Sequence, residues 1–138
     1  MSYLVDTNIL IYAKDRQHTH VIHQMEQVPL HDLFVSAVTV AELEYGAAKS
    51  QSPERARTAL SGYLLPFTII PFTDDDAEAF GVIRATLEKK GLVIGPYDML
   101  IASQAIARDL TLVTNDVREF QRVPGLRCVN WAASPGHS

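Results

Sequence analysis

The chain has 138 residues, 47% of them hydrophobic, with 12 Lys or Arg against 16 Asp or Glu and a formal charge of −4. That length suits one ordinary domain, able to bury roughly two thirds of the surface its unfolded form exposes, and the charge excludes a broad basic surface. No run of eighteen apolar residues and no basic-then-apolar leader occurs, so the expectation is a cytoplasmic protein, and the single Cys128 excludes an internal disulfide and reads as a buried small hydrophobe.

In chain order, the apolar run Tyr3-Leu4-Val5 predicts a strand over about residues 2–5, closed by Asp6. Helical material follows from 7 to 26. Its His18, His20 and His23 read as a solvated or nucleic-acid-facing loop, because no Cys or further His has the spacing of a closed zinc site. Leu33-Phe34-Val35-Ser36 is a second strand and 38–49 a helix. Pro53, tolerated in a first turn, opens another helix that Pro66 stops near Leu65. Thr68-Ile69-Ile70 is a strand. Thr73 with Asp76 resembles a capping box, opening a helix whose apolar stripe is Ala77, Phe80, Ile83 and Leu87 and which Gly91 ends. Asp74-Asp75-Asp76 lies in that first turn, where capping and the helix dipole account for it. A helix from Tyr97 to Ala107, a strand at Leu112-Val113, a short helix from Val117 to Gln121 and a strand near Arg127-Cys128-Val129 complete the pattern. Residues 1–133 are expected to form one domain and 134–138 a tail.

Strands alternating with helices predict an α/β fold with a parallel sheet covered on both faces. Such sheets bind ligands outside the carboxyl ends of their strands, at the switch point in strand order. Asp6 and Asp116 each follow a strand. Glu42 shares a helical face with Val38, Ala41 and Tyr45, and Asp98 lies above Ile101, Ala102 and Ala105, so both carboxylates are expected on apolar, inward faces. The four acids are therefore expected to converge at one edge. Two unit charges about 4 Å apart repel by roughly 4 kcal/mol at an effective dielectric of 20, so a cation is needed among them. Oxygen-only donors favour Mg²⁺, with Mn²⁺ able to substitute, over zinc. Removing the four from the sixteen acids leaves twelve, equal to the bases, so a polyanion could still approach such a metal-neutralised centre. Thr7, Asn8, Thr114 and Asn115 flank the acids and could orient carboxylates or water. Arg84 could contact phosphate or pair with Glu88, and Arg118 and Arg122 could hold RNA or decorate a helix surface.

These residues also carry a resemblance. Val5-Asp6-Thr7-Asn8, Ser36-x-x-Thr39-x-x-Glu42-Leu43 with Gly46, Gly95-Pro96-Tyr97-Asp98-x-x-Ile101-Ala102, Thr114-Asn115-Asp116-x-Arg118-Glu119-Phe120 and the tail Arg122-Val123-Pro124-Gly125-Leu126 with Asn130-Trp131 together resemble the PIN-domain ribonucleases of the VapC toxin group. The resemblance implies a PIN-like three-layer α/β/α fold with a central parallel sheet of about five strands. It also implies an acidic Mg²⁺ site on Asp6, Glu42 and Asp98, cleavage of RNA, a VapB-type antitoxin and a homodimer. Asp116 falls on a position where relatives vary between Asp and Asn. The segment from Lys90 to Asp98 and the tail from Asn115 look most like the subgroup that cuts initiator tRNA in its anticodon loop.

Two other classes remain open from the residues. A Mg²⁺-dependent phosphatase or phospho-acceptor domain would use Asp6 as nucleophile, although such sites usually place a second acid where Asn8 stands. A non-catalytic module would receive a basic peptide in the acidic cleft.

Overall fold

In the computed structural model, which describes residues 1–16 and 18–132, five strands form one sheet in the order β3-β2-β1-β4-β5, each pairing parallel. They are β1 (Tyr3–Val5), β2 (Leu33–Ser36), β3 (Thr68–Ile70), β4 (Thr111–Val113) and β5 (Cys128–Val129). The helices are α1 (Thr7–Asp15), α2 (Thr19–Glu26), α3 (Ala37–Ala48), α4 (Pro53–Leu64), α5 (Asp74–Lys90), α6 (Pro96–Ala107) and α7 (Val117–Phe120). The chain runs outward from β1 through β2 to β3, then returns to the other side of β1 for β4 and β5. The switch point thus lies between β1 and β4, where the carboxyl ends carry Asp6 and Asp116. The expected tail at 134–138 lies outside the described residues.

Alternation along the strands divides the core into two layers. Leu4, Ile70 and Leu112 point to one face, against Ile83, Leu87, Met99, Ile101 and Phe120 of α5, α6 and α7. Val5, Leu33, Val35 and Val113 point to the other, against Ile9, Leu10 and Val21 of α1 and α2 and the half-buried Leu43 and Tyr63 of α3 and α4. This period of two is what a sheet covered on both faces requires. Cys128 is half-buried in the first layer, and burial pushes its thiol up to about 11, leaving it inert at neutral pH.

Most boundaries fall where the sequence puts them, and three features differ. The helical stretch 7–26 is two helices, because Arg16 turns left-handed at φ 55° and ends α1, a conformation without a glycine to announce it. His18 then precedes α2 and stacks on Tyr12 at 3.9 Å, with His20 and His23 on α2 itself, so these histidines begin a helix and do not form a loop. The third difference concerns α3, which buries Thr39 and Ala47 and packs Val40 and Leu43 on the core, while Ala41 is exposed and Tyr45 is 67% exposed. Of the side expected to face inward, Ala41 and Tyr45 therefore look out, while Val38 is half-buried against the first core layer. Apolar residues surround this helix, so their spacing did not identify the packed face. Tyr63, by contrast, is core: its hydroxyl donates to the Leu10 carbonyl at 2.8 Å and its ring meets Phe67 edge-on.

The α5 start is a capping box with an added ion pair. Thr73 N–H donates to Asp76 Oδ2 at 2.8 Å, and Gln104 Nε2 and Arg108 Nη2 donate to the same oxygen at 3.3 and 3.2 Å. Asp76 therefore joins α5 to the end of α6, and its role is structural. Gly91 closes α5 with φ 69°, a left-handed cap that glycine adopts without penalty.

Candidate active site

Each acid is placed by a local device. Asp6 caps α1, its Oδ1 accepting from Thr7 N–H at 2.8 Å, while Oδ2 accepts from the Thr114 hydroxyl at 2.8 Å. Thr114 also accepts the Asp116 N–H at 3.0 Å, so one hydroxyl ties the ends of β1 and β4 together. The Thr7 hydroxyl lies 2.9 Å from Glu42 Oε1 and 3.0 Å from Thr39 Oγ1. With a single proton to give, it favours the carboxylate as the stronger acceptor. This brings Glu42, in the second turn of α3, over the start of α1.

Asp98 occupies the third position of α6, after Gly95 as N-cap and Pro96 at the first helical position. Its Oδ2 lies so close to Gly95 that a Cβ there would stand 3.5 Å away. Asp116 caps α7, accepting the Glu119 N–H at 3.4 Å.

Electrostatics link these groups. Burial, then repulsion by Asp6, Glu119, Glu42 and Asp116, pushes the Asp98 carboxyl up to about 7. Asp6 is also raised; burial dominates, the bonds from Thr114 and Thr7 oppose it, and Glu42 and Asp116 add to it. Glu119 is raised by a hydrogen bond with Asp116 and by burial, against the opposing effects of the Gly95 N–H and Arg122. None of these five acids forms an ion pair with Lys or Arg among the described residues.

The structure thus gathers Asp6, Glu42, Asp98 and Asp116 at one edge and adds Glu119. The overlooked signal for Glu119 was its place three residues after Asp116 across the first turn of a helix, where two side chains share a face. Among the described residues no three of the acids, His or Cys are already drawn together as a ligand set. They are near enough for Asp6, Glu42, Asp116 and Glu119 each to raise the Asp98 carboxyl. An oxygen-only set with unrelieved repulsion fits a hard divalent cation.

The flanking residues divide. Thr7 and Thr114 orient carboxylates as expected. Asn115 instead donates to the Tyr12 hydroxyl at 2.9 Å, and Asn8 is exposed in a groove of about 410 Å³ shared with Thr7, Ile11 and Glu42. On the other side of Glu42 a cleft of about 550 Å³ is lined by Val38, Ala41, Tyr45, Tyr97 and Leu100. Arg118 is exposed beside Asp116, and Arg84 is engaged by Glu88 at 3.5 Å and by the Phe80 ring at 6.0 Å.

Residues 3–126 match the family model described as PIN domain. The chain is 39% identical over 132 residues to ribonuclease VapC2 of Rickettsia felis, covering 95% of this chain and 98% of that protein. It is 36% identical over 131 residues to the tRNA(fMet)-specific endonuclease VapC of Salmonella typhimurium, with 95% and 98% covered. Among solved structures, the Rickettsia felis VapBC2 complex bound to a promoter DNA fragment superposes with a TM-score of 0.86 at 38% identity, covering 95% of this chain and 99% of that one. DNA-bound VapBC of Salmonella typhimurium gives 0.88 at 35%, covering 95% and 98%. The three-layer sheet, the acids at its switch point and these relatives agree: the chain belongs to the PIN-domain family, among the VapC ribonucleases.

Proposed function

We propose that this ribonuclease is a Mg²⁺-dependent endonuclease toxin that cuts tRNA, in the initiator tRNA anticodon loop, and so halts translation in the cytoplasm until a VapB-type antitoxin neutralises it. The observation that carries the metal-dependent reading is five carboxylates at one switch point with no Lys or Arg ion-paired to them among the described residues. The initiator tRNA substrate is supported by relatives from Salmonella typhimurium and Shigella flexneri, 36% and 37% identical, that are named tRNA(fMet)-specific endonucleases. The antitoxin partner is supported by the VapBC complexes among the structural neighbours.

Asp6, Glu42 and Asp98, with Asp116 and Glu119 beside them, would hold the ion, which when bound lowers the pKa of water and stabilises charge on a phosphoryl oxygen. Thr7 and Thr114 fix two of these carboxylates, and Arg118 on the rim is the candidate phosphate contact. A homodimer belongs to the proposal, supported by the exposed Tyr45 and Tyr97 on one outward face. An Asp6 phospho-acceptor is disfavoured because the position two residues on, where such sites usually place a second acid, is the exposed Asn8.

The test is cleavage of a purified bacterial RNA pool with fragment ends mapped. Chelation should reduce the rate by at least about a thousandfold, and added Mg²⁺ or Mn²⁺ should restore it. Ends concentrated in the initiator tRNA anticodon loop support the substrate; ends elsewhere overturn that part, and cleavage indifferent to chelation overturns the metal.

A further inference from the structure

The segment joining α5 to α6 has to deliver Asp98 to the site, yet residues 92–95 have no regular structure and Leu92 and Val93 are exposed. Ile94 is their one buried side chain, 4% exposed. Two side chains from the next element to pass the site hold the backbone on either side of Ile94. Glu119 Oε1 accepts the Gly95 N–H at 3.3 Å, and Arg122 Nη1 donates to the Val93 carbonyl at 3.2 Å. Arg122 N–H in turn donates to the Glu119 carbonyl at 3.1 Å. Phe120 and Val123, 1% and 2% exposed, seat this turn in the core, so the clamp is anchored from below.

We infer that Arg122 is a positioning residue of the ribonuclease: by gripping the Val93 carbonyl it fixes the start of α6 and hence the place of the Asp98 carboxylate. This rests on the metal-dependent reading above only for its kinetic consequence. Glu119 acts at both ends of the device, facing Asp98 while holding Gly95; among the described residues Arg122 forms no ion pair with Asp6, Glu42, Asp98 or Asp116, and it is exposed, so its replacement leaves the core intact. A misplacement of about 1 Å at a reacting group costs up to about a hundredfold in rate. An intermediate loss is expected here, since Glu119 and Ile94 remain.

The experiment compares wild type, Arg122→Ala and Arg122→Lys in two measurements. Hydrogen exchange of the segment 91–97, without RNA, should quicken about tenfold in Arg122→Ala and return most of the way in Arg122→Lys, whose ammonium can still donate to Val93. Cleavage of a tRNA pool with Mg²⁺ should show kcat lowered about tenfold with KM unchanged, and the same partial recovery in Arg122→Lys. A raised KM with unchanged kcat and a weaker salt dependence would make Arg122 a phosphate contact and overturn the inference. So would unchanged exchange in Arg122→Ala. Should the wild type fail to cut any RNA, the functional reading falls while the exchange measurement still decides the clamp.

Discussion

Asp98→Asn is expected to abolish RNA cleavage, by about a thousandfold or more, and at the same time to raise the melting temperature of the metal-free protein at pH 7.5. The first effect follows from losing a carboxylate at the centre of the acidic edge. The second follows from its protonation. The folded protein holds the Asp98 carboxyl at about 7, against 3.8 for the free group, so between these values the folded state binds a proton that the unfolded state has released. The stabilisation this proton provides is complete below about pH 3.8 and is lost as pH rises towards 7. At pH 7.5 the wild type carries an ionised Asp98 repelled by Asp6, Glu119, Glu42 and Asp116; asparagine removes that repulsion. The melting difference between variant and wild type should thus grow from pH 4 to 7.5 and shrink when Mg²⁺ is added, because the ion binds and stabilises the wild type more than the variant. A variant less stable than wild type at pH 7.5 without metal would contradict the assignment. Such a trade of stability for function is common at sites that concentrate like charge.

Asp76→Ala is expected to destabilise strongly for a polar change away from the site, by about 3 kcal/mol or roughly 10 °C in melting temperature. Asp76 is fully buried, and burial alone would raise its carboxyl. The Thr73 N–H, Arg108 and Gln104 outweigh that and hold it below its ordinary value. Its removal leaves the Arg108 guanidinium, 30% exposed, without its carboxylate, and leaves Gln104 and Arg108 only the Pro71 carbonyl to share as acceptor. The sign of its pH dependence opposes that of Asp98: the contribution is present above pH 3.8 and lost as pH falls through the lower folded value. Denaturant unfolding at pH 7 and at pH 3 separates the two, since the Asp76→Ala deficit should narrow in acid. An equal deficit at both would mean that packing, not the charge, is what Asp76 supplies.

The fold was legible where local chemistry and tertiary demand coincide. Tyr3-Leu4-Val5 and Leu112-Val113 announce buried strands because both faces are covered, and the acids that follow them mark the carboxyl edge. Pro53, the Thr73–Asp76 box and Gly91 bound their helices by mechanisms that need no partner. Legibility failed where the deciding interaction is distant. Arg16 ends α1 although nothing in its own chemistry prefers a left-handed turn. On α3 the apolar residues run round the helix, so only the sheet beneath decides that Thr39 faces in and Tyr45 out. Glu119 stands in the sequence only as part of a matched motif, and its meaning emerges only when the α5–α6 connection is laid beside it. Asp98 stands above the buried Ile101, Ala102 and Ala105 as its spacing predicts, whereas Glu42 reaches the same edge through the Thr7 hydroxyl and not through an inward face shared with the exposed Ala41 and Tyr45.

The most direct measurement is calorimetric titration of the metal-free protein with Mn²⁺, without RNA, in wild type, Asp6→Asn, Glu42→Gln and Asp98→Asn. Binding in the wild type, weakened at least about tenfold by each of the three and unaltered by Arg118→Ala, is the predicted result. Equal Mn²⁺ affinity in all three acid variants, or no binding in the wild type, would contradict a single ion-demanding pocket at the β1–β4 switch point.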